Sequence, residues 1–247
     1  MSAYDFRSPR LFVDVPLEAG AQVTLDRAQA HYLTHVLRLR AGDRVLVFNG
    51  QDGEWVAALA EASRRPAGLS VVAQTRPQRP AADLHYLFAP LKAARLDYMV
   101  QKAVEMGASR LQPVLTRHGQ VTRINLDRMR ANAIEAAQQC GILALPDIMA
   151  PAALSVLLGQ REDARWLIFC DEDAATANPA AALAAVPKGA PLAVLIGPEG
   201  GFAEEERAAL LKSANVARLS LGPRILRADT AAVAALAVVQ TVLGDWR

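Results

Sequence analysis

The chain has 247 residues, 52% of them hydrophobic, with 27 Lys and Arg against 25 Asp and Glu. That is apolar material for one large domain or two modest ones and excludes a disordered chain. No window reaches the roughly 20 uninterrupted apolar residues of a membrane span, and the opening MSAYDFRSPR lacks the basic-then-apolar order of a signal peptide, so a cytoplasmic protein without membrane contact is expected.

In chain order, strands are predicted at Leu11 to Val15, Arg44 to Asn49, Trp55 to Leu59 and Leu69 to Gln74, separated by the turn signals Gly42-Asp43, Asn49-Gly50 and Asp52-Gly53. One helical insert, Asp26 to about Leu37, repeats apolar residues at helical spacing and is followed by Arg38 and Arg40. This is a small β-rich domain with an arginine edge. His31 and His35 sit one helical turn apart, but no third ligand accompanies them, and a metal is not expected. Residues 1–130 carry 18 Lys and Arg against 12 Asp and Glu, residues 131–247 carry 9 against 13, and 23 of the 27 cations are arginine. Arginine forks onto phosphate, which suits a polyanionic partner; composition alone favours the plainer reading of an arginine-rich solvated surface.

Arg76-Pro77-Gln78-Arg79-Pro80 has the composition of a linker, dividing the chain into domains at 1–76 and 80–247. Beyond it strands and helices alternate: a strand at Leu84 to Phe88, a helix from Ala93 to Met106 closed by Gly107, and a strand at Leu111 to Leu115. A helix from Leu126 to Gln139, capped by Asn125, precedes a strand at Arg165 to Cys170 that ends in Asp171-Glu172-Asp173. Two short apolar runs, Leu192 to Ile196 and Leu219 to Leu221, are each followed at once by Gly-Pro, with an acidic-headed helix from Glu204 to Ala214 between them. The fold class is α/β, with a parallel sheet of about five strands. The final helix, Thr230 to Leu243, holds no charged residue and requires cover beyond the sheet, from a partner subunit or from another helix of the chain. Cys140 and Cys170 have no metal-type or disulfide spacing and read as small core residues.

Both Gly-Pro loops belong to the carboxyl edge of one sheet, where open α/β folds hold ligands. Gly197-Pro198-Glu199-Gly200-Gly201 is neither GxGxxG nor GxxxxGK[ST], so no phosphate cradle is indicated; its glycines allow close backbone approach to a flat ring. Glu199, Arg224, Arg227, Asp229 and Thr230 bring ionisable and polar groups to that edge, with Asp229 or Thr230 expected to cap the last helix.

IGPEGGF followed by an acidic helix, then LSLGPRILRADTAA, resembles the trefoil-knotted SPOUT methyltransferases, and within them the 16S ribosomal RNA (uracil-N3) methyltransferase family. The resemblance extends to HYLTHVLRLRAGD and VFNG, to QKAVEMG, Thr116-Arg117, IEAAQQC and Asp171-Glu172-Asp173, in order and over nearly the whole chain. The family usually has glutamate at Gln138, arginine at Ile142 and serine at Ala203, the last a lost helix cap.

The resemblance implies an N-terminal PUA-like β-barrel for RNA, a knotted C-terminal domain holding S-adenosylmethionine, and a homodimer acting on 16S rRNA or the small ribosomal subunit. The implied cofactor residues are Leu195, Ile196, Gly197, Pro198, Gly200, Gly201, Ser220, Leu221, Gly222, Ile225 and Leu226. Methyl transfer to N3 of a uridine requires stabilising the imide anion, for which Arg224 or Arg227 is the candidate, and accepting a proton, for which Glu199 or Glu105 is. Glu105 has an alternative in an ion pair with Lys102. Arg10, Arg38 and Arg117 are the candidate RNA-backbone contacts. A different RNA target, such as a ribose 2′-O or another base, and a non-catalytic RNA-binding assembly protein are the alternatives.

Overall fold

The computed structural model describes residues 7–60, 68–121, 123–171, 173–174 and 178–246; the chain's opening residues and Glu172 of the acidic triplet lie outside them. Two compact units result, one reaching Pro80 and including Ala137–Leu145, the other made of Ala81–Ala136 and the chain from Pro146 onward.

The first unit contains β1 (Arg10–Phe12), β2 (Gln22–Thr24), α1 (Arg27–His31), β3 (Arg44–Phe48), β4 (Glu54–Leu59) and β5 (Gly68–Arg76). They form one five-stranded sheet in the order β1-β3-β4-β5-β2, parallel only at β1-β3. Alternate strand residues such as Val45, Val47, Ala57, Leu69 and Val71 close on Leu11 and Leu33 to make its core. β1 is shorter than the expected Leu11 to Val15, since Asp14 and Val15 turn outward ahead of Pro16. β2 escapes a period-based reading because only Val23 of its three residues is buried. The helical insert begins where expected: Asp26 accepts from Gln29 N–H at 2.8 Å while Gln29 Oε1 accepts from Asp26 N–H at 3.1 Å, a reciprocal cap. It then widens into a π-helical turn at Tyr32–Val36 and ends at Arg38, whose φ of 57° is left-handed.

The second unit runs through β6 (Leu84–Phe88), α2 (Ala93–Glu105), β7 (Arg110–Leu115), α3 (Leu126–Cys140, whose last turn from Ala137 belongs to the first unit), β8 (Asp147–Ile148), β9 (Ala152–Ala153), α4 (Leu154–Gln160), β10 (Trp166–Cys170), α5 (Pro179–Leu183), β11 (Leu192–Ile196), α6 (Glu204–Lys212), β12 (Val216–Leu219) and α7 (Ala228–Val242). All its strand pairs are parallel, in the order β12-β10-β11-β6-β7-β8 with β9 also on β7, so the sheet has seven strands where about five are expected; the two extra strands are two-residue pieces. Central β11 is buried along its whole length, and each of its larger side chains contributes roughly 1.5–3 kcal/mol of burial. Leu154 of α4 and Leu210 of α6 pack on Leu167, Phe169, Ala193 and Leu195.

Three sequence expectations change here. β12 ends at Leu219, leaving Ser220 and Leu221 in the following loop. α7 starts at Ala228, with Arg227 at its cap position and no side-chain cap; Asp229 lies inside the helix, its Oδ1 accepting from the Thr230 N–H at 2.9 Å. α2 and α5 of the same chain pack on α7, and its buried Gln240 donates to the Met106 carbonyl at 2.6 Å. Cys140 is exposed rather than in the core. Asn125 does cap α3, its Oδ1 accepting from Arg128 N–H at 2.9 Å.

Candidate active site

β10 lies between β11 and β12, so three strand exits meet at one carboxyl edge. A cavity of about 280 Å³ opens there, walled by Ile196 to Phe202, by Leu219 to Gly222 with Arg224, Ile225 and Leu226, and by Phe169, Cys170, Asp171 and Asp173, with Arg207 of α6 and the first turn of α7 behind.

The first loop is shaped by its glycines. A Cβ on Gly197 would stand 2.6 Å from Phe202 Cε2, and the Phe202 ring meets Phe169 edge-on at 5.3 Å. Gly201 has a φ of +70° and donates its N–H to the Pro198 carbonyl at 2.9 Å, closing a turn that a side chain would strain. His118 Nδ1 lies 3.2 Å from the Gly200 carbonyl and 3.3 Å from that of Gly201, so an Nδ1–H tautomer steadies the loop. Ala203 makes no side-chain cap, but Glu206 ties the helix start to the loop, its Oε2 accepting from Ala203 N–H at 3.0 Å and its Oε1 from Arg117 N–H at 2.9 Å. Glu199 pairs with Arg95 of α2.

At the middle exit, Asp171 is 5% exposed. It accepts from Arg218 Nε at 2.8 Å, from Arg207 Nη2 at 3.1 Å and from Asp173 N–H at 3.1 Å, while Arg218 Nη2 donates to the Asp173 carbonyl at 2.7 Å. A buried carboxyl bonded this fully fixes the surrounding arginines. Beside it, burial pushes the Cys170 thiol up to about 12, which leaves it a neutral wall group rather than a nucleophile.

Of the residues expected to surround the cofactor, all but Leu195 line this cavity. Leu195 points to the α4–α6 side of the sheet, because alternate strand residues face opposite ways. Arg224 and Glu199 reach the cavity; Arg227 stands at the α7 cap and Glu105 at the end of α2, neither lining it. Both Glu105 oxygens accept from Lys102 Nζ at 2.8 Å, the ion pair that was its alternative. Arg10 is buried, its Nε donating to Glu54 at 2.9 Å, and is not placed for a phosphate; Arg38 and Arg117 are exposed. Sequence reasoning missed Phe169, Phe202, Asp171, Asp173 and Arg207 as site residues, although two acidic residues immediately after a buried strand were a visible signal. Among the described residues no cluster of three or more His, Cys, Asp or Glu is arranged for a metal, and no helix is long and apolar enough to cross a membrane.

Residues 77–240 match the family model of the RNA methyltransferase domain, and residues 25–71 that of the RNA methyltransferase PUA domain. A ribosomal RNA small subunit methyltransferase E from Synechocystis is 30% identical over 90% of this chain and 74% of its own length, and one from Rickettsia conorii is 27% identical over 94% of each. A putative methyltransferase from Legionella pneumophila, solved in complex with the bound cofactor SAM, is 26% identical with a TM-score of 0.81 and covers 95% of this chain and 98% of its own. With a parallel α/β unit, a PUA-type β unit and matches over nearly its full length, the chain belongs to the ribosomal RNA small subunit methyltransferase E family of RNA methyltransferases.

Proposed function

We propose that this protein methylates N3 of a uridine in the 16S rRNA of the small ribosomal subunit, using S-adenosylmethionine bound at the carboxyl edge of the parallel sheet. The observation that carries this reading is the cavity between the Gly197–Gly201 and Ser220–Leu226 loops in a chain of this family. Its walls suit the cofactor. Open glycine backbone and the apolar Ile196, Leu221 and Leu226 accept a flat base, while Asp171, Asp173 and Arg207 offer charge to an amino-acid end.

S-adenosylmethionine supplies a methyl group from a sulfonium. The chain's own task is to orient the base and stabilise the N3 anion, so the target uridine is unpaired or flipped. Arg224, exposed on the cavity rim, is the proposed stabiliser of the developing charge, and Glu199 the proposed proton acceptor once released from Arg95. In this reading residues 1–76 form the PUA-like RNA-binding domain and 80–247 the methyltransferase domain, with Arg38 and Arg117 on the RNA backbone. The protein works in the cytoplasm as a homodimer. Ile225, 94% exposed on the cavity rim, and the half-buried Val233, Ala234, Ala237 and Val238 of α7 are the apolar surface a second subunit covers.

Incubation with labelled S-adenosylmethionine and small-subunit RNA, followed by nucleoside mass spectrometry, tests the reading. N3-methyluridine is expected; a 2′-O-methylated nucleoside or another methylated base refutes the N3 assignment, and absence of transfer with both free RNA and assembled subunits refutes the enzyme.

A further inference from the structure

A second cavity, of about 180 Å³, lies under α4 near the amino ends of β6, β7, β10 and β11. Its floor is apolar: Leu87, Leu154, Leu157, Leu158, Leu167 and Leu195. Its mouth is cationic. Among the described residues Arg110 forms one ion pair, with the exposed Asp147 at 3.4 Å, and its buried Nε has no hydrogen-bond partner. Arg161 spends its guanidinium on backbone carbonyls, those of Arg165 at 2.8 Å, Asn215 at 3.1 Å and Ala214, with no paired carboxylate among the described residues. The third arginine, Arg165, is neutralised by Asp83 at 2.7 Å and Glu162 at 2.9 Å. His85, at the same mouth, is lowered to about 4 by burial and then by Arg165 and Arg110, so it adds no charge near neutral pH.

Arg110, held by one long ion pair to Asp147, and Arg161, with no paired carboxylate among the described residues, place two cationic heads beside an apolar floor. An anion at the mouth gives the partly exposed Arg110 guanidinium a second partner, and an apolar tail fills the floor. The volume holds about six water-sized groups, enough for a short aliphatic chain and too little for a nucleotide. We infer that the cavity beneath α4 binds a small amphipathic anion, a short-chain aliphatic carboxylate held at its head by Arg110 and Arg161. The site stands at the other end of the strands from the methyltransferase cavity, and the inference does not rest on the methyl-transfer reading.

Met149 lines this cavity, and none of the other described methionines, Met99, Met106 and Met129, does. The test is ¹³C-methyl methionine NMR of the full chain titrated with hexanoate, hexanol and inorganic phosphate. Hexanoate is expected to shift the Met149 methyl saturably while the Met99, Met106 and Met129 signals stay in place. Hexanol and phosphate, each lacking half of the recognition, are expected to bind at least tenfold more weakly. Arg110→Gln is expected to weaken hexanoate about tenfold; if that variant disturbs the other methionine signals, Arg161→Gln is read in its place with the same expectation. No saturable shift overturns the inference. So does hexanol binding as well as hexanoate, which marks a merely apolar gap, phosphate binding as well as hexanoate, which marks a simple anion site, or unchanged hexanoate affinity in an intact variant.

Discussion

Arg10 and Glu54 face each other inside the β unit, Nε to Oε2 at 2.9 Å, with side chains only 4% and 3% exposed. Glu54 also takes Arg76 Nη2 at 2.7 Å and the Thr75 hydroxyl at 2.9 Å. Burial works against the Glu54 charge, but the hydrogen bonds from Arg76, Arg10 and Thr75 hold its carboxyl below the ordinary value. Removing one partner strands the rest, so Glu54→Ala should cost about 3–5 kcal/mol. Urea denaturation measures this. Arg10→Ala should likewise lower the midpoint, whereas Arg38→Ala should leave the midpoint in place and weaken RNA binding. An Arg10→Ala protein of native stability would return Arg10 to the RNA-contact candidates.

Gly197 is the position at which one added methyl does most to the methyltransferase cavity. The Cβ of Gly197→Ala would overlap Phe202 at 2.6 Å, and Phe202 is itself held edge-on against Phe169. Overpacking of this kind costs about 1–3 kcal/mol. The loop must shift or the ring must turn into the cavity, so calorimetric titration should show S-adenosylmethionine binding at least tenfold weaker. Gly20→Ala serves as the contrast: its φ is also positive, but a Cβ there meets nothing within 4 Å and the residue lies far along the chain from these loops. Equal cofactor affinity in both variants would remove the steric argument.

The strands that position the site were legible because they are short, apolar and punctuated: Leu84 to Phe88 and Leu192 to Ile196 match their expected bounds residue for residue. The Gly-Pro exits located two walls of the cavity. The third wall was hidden by topology, since nothing local to Arg165–Cys170 says that this strand lies between the other two. Asp171 was accordingly visible as a strand terminator and not as the hub of Arg207 and Arg218, which come from distant elements. Arg10 was misread for a related reason: an arginine before an apolar run resembles a surface cation until its buried carboxylate partner, 44 residues away, is seen. Leu195 was assigned to the cofactor because it adjoins the loop in sequence, although strand alternation turns it to the opposite face.

Asp171→Asn tests whether that hub organises the cofactor cavity. The amide keeps the volume but loses the charge that holds Arg207 and Arg218, and one amide hydrogen then points toward a guanidinium. Removing one member of such a buried network costs about 3–5 kcal/mol. Beyond the lower melting temperature, the Kd for S-adenosylmethionine should rise while the affinity for RNA, measured without cofactor, stays level. Loss of both in equal proportion would indicate general unfolding rather than a positioning role.

His85 gives the fold a pH dependence whose sign follows from its surroundings. Burial, Arg165 and Arg110 lower it from 6.5 to about 4, with Asp83 and Glu162 acting weakly the other way. Between those values the unfolded chain takes up a proton that the folded chain refuses. The histidine therefore contributes its full stability above pH 6.5, and loses it as the pH falls from 6.5 toward 4, by at most about 1.4 kcal/mol per pH unit. Glu54, Asp83 and Asp52, all held below their ordinary values of 4.5, 3.8 and 3.8, lose their contributions at lower pH. The two windows are thus separable. Urea midpoints measured from pH 7 to 4.5 should fall with pH in the natural chain and run flatter in His85→Gln, whatever the offset between the two proteins. Parallel slopes would mean that His85 keeps an ordinary affinity for protons in the folded state, and that the arginines around it are neutralised more fully than their geometry indicates.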